Sequence, residues 1–301
     1  MEYIKFLENE QIQFMNELKE KSNKTWRELS LDNKISKSSL MKYLSGKVLM
    51  SKNFFDKNSE EYNIKDYNVD IITINNREKN IKVPKICLEL AEFLGALNGD
   101  GHVDALTYET CIGAHKILDK DYICNRIPKL FKFLFNLDMK ISLEKSEIKC
   151  RSYSKRLMRH LNLEYNVPIG AKLNRLQIPE FVLTNKELSL AYLRGLFDTD
   201  GTFYGRRNNE PVIGYISLSP NYLEDVRLLL KKNNFNFGKS GKDLYLYNKN
   251  EIERFFNEIL PQNQKHVTKY RIYKKTGKIL KTPELLNYML STSGVMVSIN
   301  S

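Results

Sequence analysis

Asp100 and Asp200 stand one hundred positions apart, and each closes an apolar segment that reads almost the same way: Leu90-Ala-Glu-Phe-Leu-Gly-Ala-Leu-Asn-Gly-Asp100-Gly101 and Leu190-Ala-Tyr-Leu-Arg-Gly-Leu-Phe-Asp-Thr-Asp200-Gly201. Aligned without gaps, the two share Leu90/Leu190, Ala91/Ala191, Gly95/Gly195, Asp100/Asp200 and Gly101/Gly201. A lone Asp-Gly is ordinary turn chemistry. An acid that recurs in register behind a duplicated apolar segment is not. Two carboxylates brought together repel each other, and they persist ionised at neutral pH when a cation neutralises them. A hard, oxygen-ligated ion such as Mg²⁺ suits carboxylates, carbonyls and water.

The elements that must position these acids follow from the small residues. Ala91, Gly95 and Gly99 recur every four residues, as do Ala191, Gly195 and Thr199. Positions four apart share one helical face, and small side chains there let two backbones approach closely. The two helices are therefore expected to pack on each other. Around a pseudo-twofold axis, Asp100 and Asp200 would emerge together, each ahead of a glycine that can end its helix.

The segments resemble the paired motifs of the LAGLIDADG homing endonucleases, in the single-chain form that carries both copies, and the resemblance covers roughly residues 86 to 275. After Asp100 the pattern predicts a strand pair over His102–His115, then a helix from about Asp119 to Asn136, with Tyr122, Ile123, Ile127, Leu130, Phe131 and Leu134 at helical spacing. Strands Met139–Leu143 and Glu147–Tyr153 follow, and Ser154 is positioned to cap a helix over Lys155–Leu161. The second copy repeats the order: Thr202–Arg206, a turn at Arg207-Asn208-Asn209, Pro211–Ser219, a helix from Pro220 through Lys232, strands Asn234–Lys239 and Asp243–Tyr247, and a helix Glu251–Leu260 before Pro261. The expected class is α+β, with two αββαββα units in pseudo-twofold symmetry. In the family this arrangement builds a saddle whose concave sheets lie on DNA. The connector Pro168–Pro179 is similar to the G-x-K … I-P connector of the intein-type and archaeal branch.

The resemblance implies a chemistry. Asp100 and Asp200 would hold Mg²⁺ (or Mn²⁺) with the carbonyls of Gly99 and Thr199, for two-metal phosphodiester hydrolysis. One centre would cut each strand of double-stranded DNA, leaving short 3′ overhangs. The family carries a basic residue near each centre. Lys172 and Lys265 are the candidates by position, with Arg175 competing for the first. Strand residues alternating toward the DNA would read the target: Lys140, Ser142, Lys149, Arg151, Tyr204, Arg206, Tyr245 and Tyr247. A slip of one residue would swap the whole set. Because the copies differ at most of these positions, an asymmetric target is expected, and the single-chain form implies a monomer.

The first 85 residues do not repeat. Glu2–Lys21 reads as a helix with Ile12, Met15 and Leu18 on one face. Thr25 and Glu28 form a capping-box pattern that starts a second helix, and Ser36–Leu44, stopped by Gly46, follows a turn. This resembles an all-α helix-turn-helix domain over residues 1–60. Ile35, Leu40 and Leu44 would face its core, leaving Lys37, Ser38, Ser39, Lys42 and Tyr43 free for DNA. A linker over 61–85 is expected to carry one strand, Val69–Ile74. The repeats then occupy 86–178 and 179–282. A tail, Pro283–Ser301, includes a helical stretch at Leu285–Leu290.

Composition is compatible with this reading. The formal net charge is +12 and the isoelectric point about 9.3, as suits a polyanionic partner. Four cysteines, Cys87, Cys111, Cys124 and Cys150, show no zinc or disulfide spacing. No apolar run reaches the roughly 18 residues of a membrane span and no signal peptide is recognisable, so an intracellular protein is expected. No motif supports a nucleophilic triad. Two other activities fit the same fold. A transcription regulator that does not cut DNA would be expected to have lost the acids, whereas an RNA maturase acting on intron RNA could keep them. An intein fits less well, since Met1 is no splicing nucleophile and no histidine precedes Asn300.

Overall fold

The structure, a computed structural model, describes residues 2–7, 9–64, 67, 69–73 and 80–292. The chain divides into two compact units, Met1–Asn76 and Arg77–Ser301.

The first unit contains β1 (Glu2–Phe6), α1 (Glu10–Ser22), α2 (Trp26–Asp32), α3 (Lys37–Leu44), β2 (Met50–Ser51), α4 (Lys52–Glu61) and β3 (Val69–Thr73). The all-α expectation is corrected here, because β2, β1 and β3 form an antiparallel sheet in that order. The helix expected from Glu2 begins only at Glu10. Upstream, Ile4 is buried between exposed or half-buried neighbours, a two-residue period that suits a strand, and Asn9 at φ 65° breaks the chain direction. The strand expected in a linker is an integral part of this sheet. Its last expected residue, Ile74, lies outside the described residues. Thr25 and Glu28 form the expected capping box, and Ser36 caps α3 through the Ser39 N–H at 3.0 Å. Phe14, Met15, Leu18, Leu29, Leu40, Met50 and Phe54 make the core.

The second unit opens with α5 (Leu88–Asn98), β4 (Gly101–Val103) and β5 (Glu109–His115). One π-helical turn (Tyr122–Arg126) leads into α6 (Ile127–Phe135), followed by β6 (Lys140–Leu143), β7 (Glu147–Tyr153), α7 (Lys155–Tyr165) and the short α8 (Glu180–Thr184). The same plan then recurs as α9 (Lys186–Asp200), β8 (Gly201–Gly205), β9 (Pro211–Ile216), α10 (Pro220–Lys232), β10 (Gly238–Ser240), β11 (Asp243–Leu246) and α11 (Lys249–Ile259). Helices α12 (Gln264–Thr276) and α13 (Thr282–Thr292) complete it. The tail helix is thus longer than expected, and residues 293–301 lie outside the described residues.

Each repeat forms one four-stranded antiparallel sheet, ordered β4-β5-β7-β6 and β10-β11-β9-β8. Between them α5 and α9 pack through their glycines. A Cβ built on Gly95 would overlap the Tyr192 carbonyl oxygen, and one on Gly195 would overlap the Glu92 carbonyl oxygen. That reciprocity is the mark of a pseudo-twofold seam. Every residue of α5 from Leu90 to Asn98 is buried, as expected of a helix apolar all round.

Polar groups at the seam are also paired. Glu92, 1% exposed, accepts both Nε and Nη2 of Arg126 at 2.7 and 2.6 Å and Nη1 of Arg194 at 3.1 Å. A buried carboxylate is tolerable only with such partners. On the other side, Asn98 donates to the Tyr192 hydroxyl at 2.7 Å, which in turn lies 2.8 Å from the Tyr222 hydroxyl.

A candidate metal-dependent centre at the seam

Both acids sit where a seam helix gives way to a strand. Neither following glycine takes the left-handed conformation of a helix C-cap. Gly201 is extended at φ −75°, ψ 156°. The glycines are required by space instead: a Cβ on Gly101 would strike Leu97, and one on Gly201 would strike Phe197. The chain can therefore turn sharply from helix into sheet, leaving the acid at the corner.

Asp100 and Asp200 converge on one corner, where the charge of Asp100 acts directly on Asp200. Asp100 keeps exposed surface, yet the protein crowded round it strips much of its hydration and raises its pKa, with Lys265 and Lys172 opposing and Asp119 reinforcing the shift. Asp200 is pushed up to about 7, first by burial and then by the charge of Asp100. Such a pair is electrostatically incomplete. Its donor set, two carboxylates beside backbone carbonyls, fits a hard divalent cation.

Lys172 reaches the same corner. Its Nζ donates to the carbonyl oxygens of Leu97, Asn98 and Gly99 at 3.0, 3.0 and 2.5 Å, closing the end of α5. Burial lowers its pKa to about 8 against the pull of Asp200 and Asp100. The Gly99 carbonyl, an expected metal ligand, is thus already engaged. Thr199 is buried, with its hydroxyl donating to the Gly195 and Leu196 carbonyls at 3.0 and 3.1 Å. Arg175, the competitor of Lys172, instead binds the Ile169 carbonyl at 3.0 Å.

Lys265 holds the second side through Asp119, at 2.9 Å. Asp119 is 4% exposed and was not singled out in the sequence. Its Oδ1 also accepts from Asn263 Nδ2 at 2.6 Å, and that amide donates to the Asp198 carbonyl at 2.8 Å. Asp198 itself is buried, receives the Gln262 and Asn263 N–H groups at 2.8 and 3.0 Å, and is raised to about 7 by burial. The one hundred-residue offset aligns Asp119 with Ser219, whose hydroxyl accepts the Asn174 N–H at 3.1 Å, so the brace near Lys172 is made without a carboxylate at this position.

The strand candidates lie mostly on the sheet sides turned away from the core, although on β6 Ile141 and Leu143 are exposed as well. Register pairs Lys140 with Arg151 and Ser142 with Lys149, while Ile148, Cys150 and Ser152 point into the core. Tyr204 stands opposite Val212 and Tyr245 opposite Gly214, away from buried Phe203, Ile213, Tyr215 and Leu244. Arg206 and Tyr247 lie one residue beyond their strands, with the guanidinium 5.3 Å from the ring centroid.

In the first unit Lys37, Ser38 and Lys42 are exposed on α3, and Ser39 joins the cap. Tyr43 is a correction. Its ring packs 5.3 Å from Phe54 and its hydroxyl accepts the Ser51 N–H at 3.3 Å, so it serves the core rather than a free surface. Among the described residues, no helix is long and apolar enough to cross a membrane.

Residues 187–260 match the family profile described as a LAGLIDADG-like domain. No curated protein matches. Among solved structures, full-length DUF199/WhiA from Thermatoga maritima is similar at 19% identity, covering 70% of this chain and 69% of its own, with a TM-score of 0.43. I-DmoI in complex with DNA and Ca is similar at 19% identity, covering 57% of this chain and 89% of its own, also at 0.43. The matched segment runs from α9 through α11 and includes Asp200.

Proposed function

We propose that this chain is a divalent-metal-dependent DNA endonuclease of the homing type, making double-strand breaks at a long asymmetric site. The observation that carries the reading is the meeting of Asp100 and Asp200, one from each repeat, with a lysine beside each flank of the pair. Structural ion pairs bring acid to base. Here two acids converge, and burial alone would not favour that.

Asp100 and Asp200 would hold Mg²⁺ or Mn²⁺, with the Gly99 and Thr199 carbonyls beside them. Bound there, the metal would acidify a water and stabilise charge developing on the phosphate. Lys172, with its pKa near 8, keeps a proton at neutral pH on the α5 side. Its ammonium is placed to stabilise an oxyanion or to pass a proton. Lys265 supplies the corresponding charge on the α9 side, braced by Asp119. The two sheet faces would grip DNA from an intracellular monomer, with α3 adding contacts through Lys37, Ser38 and Lys42.

The test uses a plasmid library of randomised inserts. With Mg²⁺, the protein should linearise a subset of plasmids and leave short 3′ overhangs. Asp100→Asn and Asp200→Asn should end cleavage while retaining the same DNA, at equal or higher affinity, because a charge that repels phosphate is removed. A variant that still cuts both strands would contradict the assignment of the acids. A wild-type chain that selects DNA but never cuts it would be a regulator. Selective retention of a structured intron RNA, with no DNA cleaved, would make it a maturase.

A further inference from the structure

We propose that His102, Glu109 and Cys111 form a binding site for a thiophilic divalent cation of the zinc class, on the sheet of the first repeat, with His102 exposed, Glu109 half-buried and Cys111 buried. One ligand atom from each, an imidazole nitrogen, a carboxylate oxygen and the thiol sulfur, lies within 4.8 Å of the others. Around a tetrahedral zinc, with bonds of about 2.0–2.3 Å, neighbouring ligand atoms stand roughly 3.5 Å apart. Side-chain rotation of about an ångström closes that gap.

The backbone fixes the arrangement. His102 on β4 is the direct cross-strand partner of Cys111 on β5. Glu109 lies two residues before Cys111, and side chains two apart on a strand share a face. All three therefore come from one rigid ladder. Imidazole, thiolate and carboxylate are a donor set that selects zinc-like ions over Mg²⁺, which takes oxygen ligands. Three protein ligands also leave a fourth position open.

The second repeat lacks this site. There the cross-strand pair equivalent to His102 and Cys111 is Thr202 with Gly214, which offers no strong ligand. The cluster is thus particular to one copy and not a requirement of the duplicated fold. Arg151 competes for Glu109, from which its Nε stands 3.8 Å, and for the Cys111 thiol beside it, but it also pairs with Glu144. A cation at Glu109 would leave Arg151 to Glu144 alone.

The experiment titrates the full chain with Co²⁺ in excess Mg²⁺, so that the carboxylate pair at the seam is already filled. One equivalent of Co²⁺ should produce a sulfur-to-cobalt charge-transfer band with the intense visible bands of a four-coordinate ion. Cys111→Ser should abolish the charge-transfer band. His102→Ala, at an exposed strand position, should weaken binding by about tenfold or more, since even outer-shell partners are worth that much. A Cys87→Ser/Cys124→Ser variant should keep the band. No charge-transfer band in the folded wild-type chain, or one that survives in Cys111→Ser, would overturn the proposal. Neither result bears on DNA cleavage, so this site and the seam centre fail independently.

Discussion

The two repeats treat their helix ends alike and their sheet faces differently. At the seam, Gly95 meets the Tyr192 carbonyl as Gly195 meets that of Glu92, and each helix delivers one aspartate to a shared corner. On the first sheet, by contrast, Lys149 is paired with Glu144 and Glu147 at 2.8 and 2.9 Å, and Arg151 is paired with Glu109 and Glu144. The second sheet carries little charge at comparable positions. It presents Tyr204, Tyr245 and Tyr247, the last two with ring centroids 4.8 Å apart, beside Val212 and Gly214. On the proposed reading, shared chemistry at one point would demand symmetry, whereas reading two different half-sites would demand its absence.

The largest expected effect would break the idea that each half serves one DNA strand. Lys172→Met and Lys265→Met should each slow cleavage of one strand by about 10²-fold, the scale for removing one preorganised donor, and the nicks that accumulate should lie on opposite strands. End-labelled substrates read this directly. Nicks on the same strand from both variants would sink the one-centre-per-strand reading. On the Lys172 strand, the rate should also fall as pH rises through about 8, where that ammonium loses its proton.

Next in size is the seam itself. Gly95→Ala and Gly195→Ala each put a methyl group into an opposing carbonyl, and overpacking of this kind costs about 1–3 kcal/mol. If the twofold relation holds energetically, the two losses should agree within a few tenths of a kcal/mol in denaturant melts. A large inequality would show that the helices share geometry without sharing load.

Stability should also depend on pH through Asp200. Its folded pKa is raised from 3.8 to about 7, so the stabilisation it contributes is full below about pH 4 and is lost as pH rises through 7. Without divalent ions, Asp200→Asn should therefore stabilise the chain at pH 8, by up to about 4 kcal/mol, and should have little effect near pH 4. Mg²⁺ should raise the melting temperature of the wild type more at pH 8 than at pH 5, where protons compete for the same oxygens. Equal Mg²⁺ effects at both pH values, or none in either, would remove the carboxylate pair as the metal's seat.

The seam was legible in the sequence because close helix packing writes itself as small residues at a four-residue period, and duplication writes it twice. The strand faces were legible for a similar reason, since alternation and register are local. What escaped were groups whose partners are remote. Asp119 meets Asn263 and Lys265 only through the fold, and the single hint was its alignment with Ser219 at the one hundred-residue offset. The N-terminal sheet escaped because β2 is two residues long and β1 precedes a strong helical pattern. Tyr43 carries a polar tip that suggested a surface role. Its ring is instead needed against Phe54.

The smallest effect sharpens the contrast between the two faces. On the first sheet, Glu109, Glu144 and Glu147 occupy the same bases that DNA phosphates would use. Exposed pairs of this kind contribute only about 0–1 kcal/mol each, so phosphate can displace them at modest cost. Glu144→Gln with Glu147→Gln should then tighten DNA binding by a few fold and steepen its salt dependence, because freed cations release more counterions, at a slope of about 0.9 per phosphate contact. Tyr245→Ala with Tyr247→Ala on the second sheet should weaken binding with the salt slope unchanged. Equal slopes in both double variants would mean that the paired bases never leave their acids, and that contacts to phosphate come from elsewhere on the chain.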